Sequence, residues 1–521
     1  MTCRFPRRCR LTLEAHAPLI SAALAALMLV PASGCRAAVA VLPLHLPVAP
    51  VPSLNPGAPE LWVALAAHLR PGADSAPLEL TAAAGVLELS DAGGQRFSGQ
   101  RLTLAWRSLP LAEPITLRRR VLGPFASYES AQRMAELWRR QGARPLIAQP
   151  RDWEVWADGE AADPPGHASR LQEQVVGQRL VLELRRDRQS IPLQGPLELQ
   201  APGGLLWRGG RYGGPFRLQS DAHGGWTLVE RVPLDRYLEG VLPHEIGAAA
   251  PAAALEAQAV LARTWAVSNR QRFAVDGYHL CADTQCQVYS HPQQAGPAVR
   301  GAIQRTARQV LAWQGQPIHA VYHASNGGIA AGFEEAWQGE PLPYLRAAPD
   351  GPAPFAKRFA LPLQQPQRLA ELLNAGQAAY GSDHPRFRWQ RLLSADQVRT
   401  ALAPLAPSLG IPQRLEVLER GVSGRVLALR VEGSGGSTVL RLDAIRRYLR
   451  QLPSTLFELS PLAPGRWQVR GGGFGHGAGL SQAGAIDLAR RGWSSRQILE
   501  HYYPGVSMEP LTALGSLKQD P

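Results

Sequence analysis

Cysteine is scarce, with five residues in a chain of 521, so at most two disulfides can form. Nucleic-acid signatures are missing as well. No zinc-finger spacing, basic helix or aromatic–basic RNA motif accompanies the net charge of +13. Beyond the N-terminus no apolar run is long enough to span a bilayer. No internal repeat is visible, and the abundant Gly (51) and Pro (45) follow no collagen-like period, which leaves loops and linkers as their use.

What is present points to an exported, multi-domain protein. The length calls for two or three domains, and 45% hydrophobic residues suffice for globular packing. Arg4, Arg7, Arg8 and Arg10 precede an apolar run, Ala17 to Pro31, in the manner of a signal peptide over residues 1–34. Ala32-Ser-Gly-Cys35 follows. Small residues before a cysteine suit lipid attachment at Cys35, although such sites usually carry Leu where Ala32 stands. Ordinary signal cleavage nearby, or an uncleaved anchor, are the other readings. Losing four arginines and Glu14 with the signal lowers the charge from +13 to +10. A basic exported protein suits an anionic polymer such as cell wall, at the periplasm or cell envelope, and no nucleic-acid partner is expected.

The chain divides by composition. Residues 35–59 are a Pro-rich linker. Residues 60–117 alternate apolar and polar in short runs such as Leu61-Trp-Val-Ala-Leu, a strand-rich region. Residues 118–158 read strand–helix–strand: Val121 to Phe125, a helix capped by Ser127 over Tyr128 to Gln141, then Glu154-Val-Trp. With its Gly-x-Phe, this segment resembles a SPOR domain, a module that binds peptidoglycan glycan strands stripped of peptide. An ordinary small α/β subdomain is the competing reading. Residues 176–505 form the main domain, with strands to about 232 and an Ala-rich helix from Pro251 to about Arg272. An insertion spans about 340–415, and 506–521 is a tail. The fold class is α+β.

Several blocks carry a stronger resemblance. Val232-Pro-Leu-Asp-Arg-Tyr-Leu-Glu-Gly-Val-Leu-Pro-His-Glu245 is followed by Ala254-Leu-Glu-Ala-Gln-Ala-Val-Leu-Ala-Arg-Thr-Trp-Ala. Then come Cys286-Gln-Val-Tyr, Tyr322-His-Ala-Ser-Asn-Gly-Gly, Arg446 to Phe457, and Gly473-Phe-Gly-His-Gly-Ala-Gly-Leu-Ser-Gln. In this order, over about 192–505, they resemble the stage II sporulation protein D family (SpoIID/LytB). The resemblance implies a strand-rich domain with an active-site helix. It also implies a peptidoglycan lytic transglycosylase that cuts between N-acetylmuramic acid and N-acetylglucosamine, on strands expected to be peptide-free, and leaves a 1,6-anhydro end. Glu245 matches the family's catalytic glutamate. The alternatives are a non-enzymatic amidase enhancer, with a cell-wall amidase as partner, and a glycan-binding protein.

One carboxyl group fits that chemistry. A glycoside hydrolase uses two, one as acid and one as base or nucleophile. When the muramic C6 hydroxyl is itself the nucleophile, one group can donate and then recover a proton, provided its pKa is raised by a dry site. Val241, Leu242, Pro243 and Ile246 offer dryness, whereas the nearby helix start favours the carboxylate. Asp235, Glu239 and Glu256 are competing carboxylates with more ordinary structural roles.

Substrate-binding residues are expected from the matching blocks: Arg263, Tyr322, His323, Ser325, His476 and Gln482. For Arg263, pairing with an acid is the stronger reading of the residue itself. No cofactor is required. His279, Cys281 and Cys286, near His291 and His323, would suit a structural zinc like that of one family member, although Gln285 stands where a His commonly precedes the second Cys. A Cys281–Cys286 disulfide suits an oxidising compartment equally well.

Overall fold

The structure is a computed structural model that describes residues 42–71, 76–375 and 378–514. The expected signal peptide, the Cys35 anchor and residues 515–521 lie outside the described residues. Among the described residues no helix is long and apolar enough to cross a membrane.

The architecture is mixed and strand-rich, an α+β arrangement. One seven-stranded sheet runs in the spatial order Leu280–Cys281, Glu60–Leu69, Trp226–Pro233, Phe216–Ser220, Leu197–Gln200, Leu87–Ser90, Arg96–Gly99. Its pairs are antiparallel except for Leu280–Cys281, which adds parallel to Glu60–Leu69. A second sheet is built on an unusually long strand, Arg101–Phe125, which pairs with Arg170–Arg186 from Thr103↔Arg185 to Val121↔Arg170. Alternation explains the packing: along Leu78–Ala82 the apolar Leu78, Leu80 and Ala82 point inward while Glu79 is exposed.

The far end of that long hairpin carries the 118–158 segment. Helix Tyr128–Arg140 starts behind the Ser127 cap, whose hydroxyl accepts from the Ser130 amide. Ala131, Met134, Ala135 and Trp138 fall on one face and bury against Trp153, Val155, Phe273 and Tyr278. Strands Leu146–Ala148 and Trp153–Asp158 complete the segment, with Trp153–Asp158 paired to the long strand.

Helix Ala252–Ser268 is the central element. It is apolar almost all round, and a helix with no polar face belongs in the interior. It packs against helices Leu234–Leu242, Pro297–Arg305, Gln482–Arg490 and Ser495–Tyr502 and against strand Gln309–Trp313. Three regions differ from a reading by composition. Residues 42–59, where Pro content suggests a spacer, lie along the body: the carbonyls of Pro43 and Leu44 accept from Arg118 and Arg119, and Leu46 donates to Ala222. Residues 340–415 include helices Pro366–Asn374 and Ala395–Leu402, but their surroundings reach further. Trp389, Val398, Val431, Ile445 and Val469 share one small core. Finally, Ser507–Pro510 in the expected tail is a strand paired with Gln309–Trp313.

Candidate active site

A cleft of about 620 Å³ opens where the central helix, the 118–158 segment and the glycine loop meet. Glu245, Tyr322, His323, His476 and Gln482 all line it. Glu245 sits on one π-helical turn, Pro243–Gly247, between helix Leu234–Leu242 and the central helix. Such turns widen a helix locally and re-aim a side chain. Its Oε1 accepts from the Val288 amide at 3.0 Å, and Gln482 also donates to the carboxyl. These bonds favour the charged form, yet burial outweighs them and holds the carboxyl above its ordinary range. Dryness therefore prevails over these two hydrogen bonds.

The Cys286-Gln-Val-Tyr block forms the floor. The Val288 amide holds Glu245, and Gln287 donates to the Tyr322 hydroxyl at 2.8 Å while accepting from Tyr237 at 3.2 Å. Burial raises both tyrosines, with the neighbouring Glu245 carboxylate adding to the effect, so both remain neutral phenols.

Two further strands meet beneath the histidines. Tyr322–His323 pairs in parallel with Leu480–Ser481, and Ser325 bridges to Phe474. This joins the Tyr322 block to the glycine loop. His476 Nε2 donates to the Tyr322 carbonyl at 2.9 Å and its Nδ1 accepts from the Ala478 amide at 3.2 Å. Burial, then the Arg446 charge, lowers its pKa to about 3, which keeps it neutral. His323 donates through Nδ1 to the Ala478 carbonyl at 3.1 Å. Its Nε2 is buried without a partner. Burial and the neighbouring His476 and Arg425 hold His323 neutral too, so Nε2 is an acceptor. Gly475 is required here: it has φ +119°, and a Cβ would stand 2.5 Å from that of His323.

Two expected residues are elsewhere. Arg263 is buried against Asp235 at 3.1 Å and donates to the carbonyls of Gln309 and Ile303, so it fastens the central helix rather than facing the cleft. Ser325 is buried and accepts from the Gly327 amide. Neither lines the cleft. The competing carboxylates are also engaged outside it: Asp235 with Arg263, Glu239 with Arg236, Glu256 with Arg305.

The expected zinc set does not suit a metal. Cys281 and Cys286 are joined as a disulfide. Both ring nitrogens of His279 are occupied, Nδ1 by the Trp62 amide at 2.8 Å and Nε2 by the Pro52 carbonyl at 3.0 Å. The disulfide instead tethers the start of the floor segment that carries Gln287 and Val288.

Sequence reasoning missed the opposite wall. Ser127, Tyr128 and Glu129 of the 118–158 segment face the cleft, together with Arg272, Trp337, Asp443 and Arg446. Arg272 pairs with Glu129 at 2.6 Å, both nearly inaccessible, and lies over the Tyr128 ring at 4.3 Å. Asp443 accepts from the hydroxyls of Ser127 and Ser130, and burial raises its pKa to about 6. The Asp443 contacts join residues more than 300 positions apart and the Arg272–Glu129 pair residues 143 apart, and no local pattern announces them.

Residues 222–313, which contain Glu245 and the Cys286–Tyr289 floor segment, match the family model described as stage II sporulation protein. The chain thus carries a SpoIID-family domain. Residues 331–479, containing the small core and most of the glycine loop, match a domain of unknown function, DUF8618. Among SpoIID relatives, the stage II sporulation protein D of Bacillus amyloliquefaciens is 29% identical over 54% of this chain and 75% of that protein. Its Bacillus subtilis counterpart is 26% identical over 55% and 77%. The amidase enhancer of Bacillus subtilis is 28% identical over 52% of this chain, which spans 40% of that relative's length.

Proposed function

We propose that this SpoIID-family protein acts on the bacterial cell wall as a lytic transglycosylase, with Glu245 as its single acid and base. The observation that carries the reading is the Glu245 carboxyl, held above its ordinary pKa by burial in a cleft of glycan-binding size. Protonated Glu245 donates to the oxygen linking N-acetylmuramic acid to N-acetylglucosamine. The C1–O bond breaks and leaves an oxocarbenium-like centre on the muramic ring. The Glu245 carboxylate then takes the proton of the C6 hydroxyl as O6 bonds to C1. The 1,6-anhydro ring closes, Glu245 regains its proton, and no water is consumed.

The other residues would position the strand. His323 Nε2 accepts from a sugar hydroxyl, Tyr322 and Gln482 flank the carboxyl, and His476 fixes the loop backbone beside them. Peptide-free strands are the substrate we favour, because the 118–158 segment walls the cleft. On this reading that segment is a SPOR-like extension that touches glycan. Export to the periplasm or cell envelope, with Cys35 as a lipid attachment point, completes the proposal.

The test is mass spectrometry of the products from purified glycan strands. Chains ending in 1,6-anhydro-muramic acid from the wild type, and none from Glu245→Gln, are expected. Undiminished anhydro product from that variant would exclude Glu245 as the catalyst. The relative named amidase enhancer favours a second reading, stimulation of a separate wall amidase. That reading prevails if the wild type forms no anhydro ends yet accelerates a purified amidase.

A further inference from the structure

Away from the cleft, three chain segments bring together a donor set that the mechanism does not use. His68 ends strand Glu60–Leu69, His223 sits in the turn between Phe216–Ser220 and Trp226–Pro233, and Asp276 follows the central helix. One ligand atom from each lies within 4.8 Å of the other two. The two imidazoles meet edge to face, with centroids 4.8 Å apart and planes at 75°, so the rings are not stacked. His223 Nε2 is buried with no hydrogen-bond partner, and it lies 3.4 Å from Asp276 Oδ1.

We propose that His68, His223 and Asp276 bind a zinc ion. Two imidazoles and a carboxylate are a borderline-soft set, suited to zinc and poorly suited to calcium or magnesium, which prefer all-oxygen ligands. The surrounding groups are arranged as metal sites require. Asp221 Oδ2 lies 3.2 Å from His68 Nδ1, the carboxylate–histidine pairing that fixes a ligand ring's orientation and leaves Nε2 for the metal. Asp221 is itself held by the amides of His223 and Gly225. Asp276 Oδ1 accepts from the Ala222 amide at 3.1 Å, which orients the carboxylate. The Gln149 carbonyl also hydrogen-bonds the His68 ring, so zinc binding at Nε2 displaces a ring proton together with that single bond, whereas His279 would have to give up its backbone partners.

The rival arrangement is a pair of metal-free ion pairs, His68 with Asp221 and His223 with Asp276. It accounts for the first pair. It leaves unexplained why His223 Nε2 is buried beside a carboxylate without hydrogen-bonding it. A bound zinc would cross-link three segments separated by some 150 and 50 residues in sequence. The site would therefore be structural, locking one end of three neighbouring strands of the seven-stranded sheet to the segment that follows the central helix.

The test uses the full chain, stripped with a chelator and dialysed against zinc. Elemental analysis should find one zinc per chain. X-ray absorption of that sample should give a shell at about 2.0–2.1 Å with two imidazole rings and no sulfur. His223→Gln should abolish stoichiometric binding. Asp221→Asn, which removes only the outer carboxylate, should weaken it by about 10- to 100-fold. Failure of the wild type to retain zinc, a sulfur-containing shell, or undiminished binding by folded His223→Gln would each overturn the proposal. If His223→Gln fails to fold, the absorption spectrum of the wild type decides alone.

Discussion

Glu245 is poised by opposing contacts, and its neighbours set where it titrates. Burial raises its pKa, while the Val288 amide and Gln482 pull it down. In the proposed mechanism the acid form starts the reaction, so activity should fall as pH rises through that elevated pKa. Removing Gln482 removes a stabiliser of the carboxylate. The pKa then rises further, and Gln482→Ala should shift the alkaline limb of kcat/KM to higher pH. An unmoved or acid-shifted limb would contradict this. Glu245→Gln should lower the rate by about 10²–10⁴-fold, the range for a positioned proton donor. Asp443 is the other cleft carboxyl with a raised pKa, about 6. Its bonds to Ser127 and Ser130 give it a holding role, so Asp443→Asn should stay within about tenfold of wild type, below the effect of losing a proton donor. A pH–rate comparison of the two variants separates the roles.

At the scale of elements, the central helix and the glycine loop place the chemistry without performing it. Arg263 fastens the helix to Asp235 and to two carbonyls that have no exposed alternative. Arg263→Ala should therefore cost about 2–3 kcal/mol in urea unfolding, with kcat per folded molecule unchanged. A selective loss of glycan affinity would restore the sugar-binding role suggested by its sequence block. In the loop, Gly475→Ala forces a Cβ against His323 at a backbone angle that side chains avoid. Glycan cleavage should drop sharply while the circular dichroism spectrum is retained. An active variant would mean that the His323 position is not critical.

Across the whole molecule, the cleft exists only because distant segments are tied together. Glu129 and Arg272 form a nearly inaccessible ion pair linking the 118–158 segment to the end of the central helix. Removing one partner of such a pair strands the other charge, so Arg272→Ala should cost about 3–5 kcal/mol. Acid stability follows from the buried neutral histidines. The pKa of His476 is about 3 when folded against an ordinary histidine value of 6.5. Unfolding therefore takes up a proton between these limits. The stabilisation is complete above pH 6.5 and declines as pH falls toward 3, by about 1.4 kcal/mol per pH unit for this one group. Urea titrations from pH 7 to 4 should show that decline, and His476→Gln should make it shallower.

Local pattern accounts for the strand-rich character, the central helix and the choice of Glu245 as the candidate carboxylate. Each is a local matter: alternation at period two, an apolar run with helix-forming residues, and a glutamate among apolar neighbours in a recognisable block. Tyr322, His323, His476 and Gln482 were legible for the same reason, since each lies in a contiguous block. Tertiary structure alone decided what these residues touch. Arg263 reads as a sugar ligand in its block and as an acid's partner on its own, and its side chain pairs with Asp235. His279, Cys281 and Cys286 read as ligands or a bridge, and the neighbouring Trp62 and Pro52 take the histidine. The wall formed by Ser127, Glu129 and Asp443, and the cluster of His68, His223 and Asp276, join positions far apart in the chain. Their chemistry arises from sheet register and helix packing, which no window of sequence contains.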